Sequence, residues 1–209
     1  ILSGKGNAFF NISPFSSKIE DDWSLSLNKK TNIVEMLENW GVTFTNNICA
    51  DISCSRIMMY SQEESQNEYI NPSTYTKIIN YPFWINIMPQ QNSTKGCTIF
   101  WPTELILSKN CTPYFLTSKF GHHYEVDFSS SEKILETNPF YVDVNNDKEK
   151  YEHIIAAEIN GELTGLYNVA SIENSKIIVI PDQYFVNSLM TGYIGGEYGD
   201  YRNFDTVTS

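Results

Sequence analysis

The sequence predicts an α/β domain built on a mostly parallel sheet covered by helices, and three observations carry that expectation. In KIIVIPDQYF, Lys176 to Phe185, four consecutive β-favouring apolar residues, Ile177 to Ile180, show no polar alternation, the pattern of a strand buried on both faces. Pro181 and Asp182 end that strand, and Asp182 to Phe185 reads as a loop turning into a helix through Met190. A helix-covered sheet places its working edge at such a loop. Near the other end, Asn32 with Glu35 three residues later makes a capping-box-like start, Ile33, Val34, Leu37 and Trp40 supply one apolar helical face, and Gly41 is a natural stop.

The elements follow in chain order. Ile1 to Ser3 reads as the tail of a helix closed by Gly4-Lys5-Gly6, and Asn7 to Ile12 as a first strand ended by Ser13-Pro14. Residues 15–30 mix polar and apolar side chains without a period and are expected to form an irregular excursion before the Asn32 helix. Val42 to Phe44 and Ile48 to Ile52 are short extended pieces, Arg56 to Tyr60 a strand, and Ser61 to Ser73 a solvated loop. The region 75–118 changes character. Tyr75 to Met88 and Thr98 to Leu107 are aromatic-rich and β-favouring, but Pro82 and Pro102 interrupt them, so peripheral strands or crossing segments are expected. Thr112 to Ser118 is another apolar strand running into small polar residues. Ser129 to Leu135 reads as a short helix and Asn138 to Lys150 as polar connection. His153 to Ile159 reads as a strand entering a turn at Asn160-Gly161, with Leu163 to Val169 pairing back. Gly192 to Gly199 is a glycine-rich loop, and Arg202 to Ser209 reads as a helix.

At 209 residues the chain can bury a full core as a single domain, 1–209. Apolar residues make up 41% and aromatics 14%, which excludes a disordered chain. The formal net charge of -11 and the lack of a basic stripe exclude a nucleic-acid binder, which needs cations to neutralise phosphates. No apolar run approaches the roughly 18 residues of a membrane-spanning helix. The chain starts at Ile1 and not at Met, which reads as a piece of a longer protein. Cys49, Cys54, Cys97 and Cys111 fit no C-x-x-C pattern, and His122, His123 and His153 add no ligand spacing, so neither a metal nor another cofactor is expected. The even cysteine count leaves two readings open: Cys49–Cys54 and Cys97–Cys111 disulfides, or buried free thiols.

Several segments together resemble one family. Gly4 to Pro14, Met36 to Asp51 (MLENWGVTFTNNICAD), Leu116-Thr117-Ser118, Ile155 to Gly161 and Lys176 to Asn187 are similar, in order and spacing, to the motifs of the GldG-type auxiliary component of ABC transporters, a family first associated with gliding motility. Two positions depart from the pattern: Ser13 stands where an Asp is usual and Pro181 where a small residue is usual. The resemblance implies an extracytoplasmic, periplasm-facing domain of a membrane-anchored protein, held by spans outside this fragment and working with an ABC permease and ATPase. It also implies a fold like flavodoxin or the glutamine amidotransferases, without established enzymatic activity.

The chemistry of single residues gives the alternatives. A hydrolase or transferase on a related fold would need a nucleophile at a sharp strand-to-helix turn with a His and an acid in reach. Cys54 is the nearest candidate nucleophile and His122 or His123 the nearest base, but no glycine-flanked elbow frames them. Adjacent histidines on a strand point to opposite faces, so a half-exposed pair is expected in preference to a two-His metal site. Asp182 can bind a ligand or cap the helix after it. Because Ser13, Ser118 and Asp182 each follow an apolar strand, they are the candidates for one ligand- or partner-binding edge. Tyr81, Phe83, Trp84, Phe100 and Trp101 read as core, with an exposed sugar-binding platform as the other reading. The expected function is a non-catalytic module of an ABC transport system.

Overall fold

The computed structural model describes residues 7–19, 23–61, 75–88, 96–108, 110–126, 135–142, 149–163, 172–187 and 190. Twelve strands and one helix are defined among them: β1 Ala8–Asn11, β2 Phe15–Ser17, β3 Leu25–Leu27, α1 Asn32–Asn39, β4 Val42–Ala50, β5 Cys54–Ser61, β6 Tyr75–Ile87, β7 Cys97–Phe100, β8 Thr103–Leu107, β9 Cys111–Leu116, β10 His122–Glu125, β11 Ile154–Leu163 and β12 Ile172–Ile180. They form sheets in the orders β1-β12-β11-β9, β10-β4-β8, β5-β6-β7 and β2-β3.

The helix-covered, mostly parallel, flavodoxin-like sheet expected from the sequence is therefore corrected to a mostly β architecture. Only β1 and β12 pair in parallel; every other described pair is antiparallel. The Ile177–Ile180 run does lie inside its sheet, flanked by β1 and β11. Its two faces enter different cores. Ile177 and Val179 pack with Leu37, Val42, Leu105 and Ile159, whereas Ile180 packs with Cys49, Ile85, Ile99 and Phe185. Burial on both faces is real, but other strands supply most of the cover. A continuous apolar run cannot distinguish a helix layer from a second sheet as its neighbour.

The helix forms where the sequence places it, with a shifted cap. Thr31, extended at φ -108°, is the N-cap, and its Oγ1 accepts from Val34 N. Gly41 takes φ 99° after the helix, a conformation that only glycine adopts freely. Residues 15–30 are less irregular than expected, since β2 and β3 pair with Phe15 opposite Leu27.

The larger correction concerns residues 75–88, whereas Thr98 to Leu107 does form edge strands, β7 and β8. β6 is not peripheral but the middle strand of its sheet, Pro82 included. The register opens there. Ser55 pairs with Tyr81 and Cys54 with Ile85, so residues 82–84 bulge, and pairing with β7 begins at Trp84. A proline is accepted because its missing N–H falls in the irregularity. Its carbonyl still accepts from Asp51 N at 3.0 Å. Trp101, at φ 46°, makes the turn between β7 and β8 ahead of Pro102. Its indole Nε1 donates to Tyr81 Oη at 3.0 Å and Tyr81 donates to the Thr137 carbonyl at 2.6 Å, which satisfies two buried polar groups in the aromatic core. Tyr81, Phe83, Trp84, Phe100 and Trp101 are all buried, so they form no exposed sugar platform.

β11 runs straight through Asn160-Gly161 instead of turning, with its pairing to β12 irregular only between Gly161 and Leu163. Expectations for residues 1–6, 62–74, 129–134, 164–171 and 191–209 lie outside the described residues.

Candidate functional site

β1, β12 and β9 run in one direction and β11 against them, so the ends of the first three and the start of β11 share one edge. Ser13, Asp182 and Ser118 stand just past those ends, each held by internal hydrogen bonds. Ser13 is nearly buried: its Oγ accepts from Phe15 N at 3.0 Å, and its carbonyl accepts from Asn28 Nδ2 at 3.0 Å. The same Asn28 amide donates to Gln183 Oε1 at 3.2 Å, linking this turn to the one after β12.

Asp182 is fully buried. Oδ2 accepts from Phe100 N at 2.8 Å and Oδ1 from Tyr184 N at 2.6 Å. Burial pushes its carboxyl up to about 8, against the backbone N–H groups of Phe100, Tyr184 and Phe185, which favour the ionised form. The group ties β7 to the turn at residues 183–186 and offers no atom to solvent.

Ser118 is bound by an acid that sequence reasoning did not single out. Asp51, fully buried after β4, accepts from Ser118 N at 2.5 Å, from Ser118 Oγ at 2.8 Å and from Ser53 N at 2.9 Å. The short spacing Asp51-x-Ser53, an Asx-turn pattern, was its signal in the sequence. These bonds lock the β4–β5 connection to the β9–β10 connection. Tyr151 N donates to the Gly121 carbonyl at 2.9 Å and joins the start of β11 to them. From these three joined segments Ile52, Leu116, Phe120 and Tyr151 reach solvent, with exposures of 50, 40, 42 and 40%.

Gly121 is essential to that junction. A Cβ there would sit against Thr117 Oγ1, 2.7 Å from Thr117 Cβ and 3.0 Å from the Tyr151 carbonyl, and Thr117 Oγ1 is the acceptor for His153 N at 2.8 Å. Gly121→Ala is expected to cost about 1–3 kcal/mol through this overpacking, read as a lowered urea midpoint at unchanged slope.

The groups proposed for nucleophilic chemistry are poorly prepared for it. All four cysteines are free thiols. Cys54, opposite Ile85 at the start of β5, has its thiol pushed up to about 11 by burial and by the charge of Asp51, the reverse of an activated nucleophile. His122 and His123 face opposite sides of β10, as alternation requires. His122 is buried beside Tyr124, its Nε2 at 3.3 Å from the hydroxyl, and His123 is half-buried.

His123 belongs to a different grouping. Ligand-capable atoms of Glu104, His123 and His153 all lie within 4.8 Å of one another. Glu104 comes from β8, His123 from β10 and His153 from the residue before β11. Two strands and the lead-in to a third supply them, so no sequence spacing could reveal the set. His153 Nδ1 is 2.9 Å from Glu104 Oε1, and Asn47 Nδ2 donates to Glu104 Oε2 at 2.9 Å. Burial would raise the carboxyl of Glu104, but the hydrogen bonds from Asn47 and His153 and the electrostatic influence of His153 and His123 bring it below its ordinary value.

A family model described as ABC-type uncharacterized transport system matches residues 2–207. No curated protein and no solved structure matches the chain.

Proposed function

Because the chain belongs to the ABC-type uncharacterized transport system family, as an auxiliary component, we propose that it is a non-catalytic extracytoplasmic module that binds the permease subunit of such a system. In this reading the module is tethered on the extracytoplasmic side of the membrane, and the ATPase acts on the far side. The finer placement with the GldG-type proteins rests on the ordered motifs in Gly4 to Pro14, Met36 to Asp51, Leu116 to Ser118, Ile155 to Gly161 and Lys176 to Asn187.

One observation carries the partner-binding reading. At the sheet edge the polar groups Asp51, Ser118, Ser13 and Asp182 are engaged inward, while Ile52, Leu116, Phe120 and Tyr151 face outward from segments that the Asp51–Ser118 bonds hold rigid. Apolar side chains on a fixed framework suit a protein surface better than a small polar ligand.

The test is co-purification of the full-length protein with its permease from detergent extracts. The double substitution Ile52→Glu and Phe120→Glu should reduce recovery of the permease at least tenfold and leave the circular-dichroism spectrum unchanged. Undiminished recovery would reject this edge as the contact surface.

A further inference from the structure

We propose that Glu104, His123 and His153 form a binding site for one divalent first-row transition metal ion, with Zn2+ as the representative. The geometry suits coordination. Donors each about 2.0–2.2 Å from one tetrahedral ion stand about 3.4 Å apart; His153 Nδ1 is 2.9 Å from Glu104 Oε1, and all three donors lie within 4.8 Å of one another, so small side-chain adjustments bring them around one ion. The two imidazole rings lie with centroids 5.2 Å apart and nearly perpendicular, 81°, so their nitrogens can approach a common point without the rings stacking.

His153 is the buried member of the set. Its side chain is fully buried, and Nε2 has no hydrogen-bond partner. Beside Glu104, this imidazole leaves a buried nitrogen unsatisfied. An ion held beside Glu104 binds the ring through Nδ1 and leaves Nε2 as it is, so the site rests on the grouping of the three donors from separate elements.

The surrounding contacts are those that hold metal ligands in place. Asn47 occupies Glu104 Oε2 and so turns Oε1 toward His153. The Tyr151 hydroxyl stands 3.2 Å from His123 Nδ1, and the Tyr151 ring covers His153 with centroids 4.1 Å apart. Fixing ligand orientation through outer contacts of this type tightens binding by about 10–100-fold. Two imidazole nitrogens and one carboxylate favour Zn2+, Co2+ or Ni2+ over Ca2+ and Mg2+, which take oxygen ligands.

The experiment uses untagged protein stripped with a chelator and titrated with Zn2+ by calorimetry, and with Co2+ by visible absorption. One equivalent of Zn2+ per chain is expected, with a rise in Tm on binding and no comparable response to Mg2+. Because His153 is buried, the deciding variants are His123→Ala and Glu104→Gln, checked for native circular dichroism. Each should weaken Zn2+ binding by about 100-fold or more, since losing a ligand exceeds the loss of an outer contact. Absence of stoichiometric binding, or binding undiminished in both folded variants, overturns the site. Neither result bears on recovery of the permease with the Ile52→Glu, Phe120→Glu variant.

Discussion

Asp51→Ala is expected to cost about 3–5 kcal/mol of folding stability, the range for breaking a buried charged network. The carboxylate accepts three hydrogen bonds in a fully buried position, two of them from Ser118 and one from Ser53 N. Alanine leaves a cavity and orphaned donors in two connections at once, so the loss exceeds that of any single partner. Ser118→Ala, which removes one hydroxyl and keeps the Ser118 N–H bond, should cost only about 1 kcal/mol. Urea unfolding of both variants gives the comparison. Equal costs would mean that Asp51 is not the hub joining the β4–β5 and β9–β10 connections.

The second large effect is on pH dependence. Burial pushes the Asp182 carboxyl up to about 8 in the fold, far above its ordinary value. Between about pH 4 and pH 8 the folded chain therefore holds a proton that the unfolded chain has released. The unfolded state binds fewer protons, so this group's contribution to stability is complete below the unfolded value and falls as pH rises toward 8, by roughly 1.4 kcal/mol per pH unit. Asp182→Asn should abolish that component, making the slope of unfolding free energy against pH less negative than in the parent by this amount. It should also lower stability at acid pH by about 1–3 kcal/mol, because an amide nitrogen cannot accept from Phe100 N or Tyr184 N. Parallel pH profiles for the two proteins would show that Asp182 is ionised throughout.

Local signals in the sequence were read more successfully than partners. The strands at Ala8–Asn11 and Cys111–Leu116, the Ile177–Ile180 half of β12 and the helix at Asn32–Asn39 all announce themselves through apolar runs and stop residues. What lies on top of each strand is a long-range property, and the Ile177–Ile180 run carries no mark that β4, β7 and β8 would provide its cover. Pro82 misled for a related reason: a proline argues against a central strand only where the ladder is regular, and the shift between Cys54 and Ser55 could not be read from one chain. Asp182 was weighed as a helix cap or a ligand group, and its oxygens instead hold a turn and the end of β7. Glu104 and His153 carried no signal because the site they share with His123 exists only after the strands are assembled.

The parallel pairing of Ala8–Asn11 with Ile177–Ile180 sets an order on the birth of this molecule. The amino-terminal strand has to wait for a partner made some 170 residues later, which at ribosomal speeds is roughly 10–30 s. The sheet cannot close until the last of the described strands has been made.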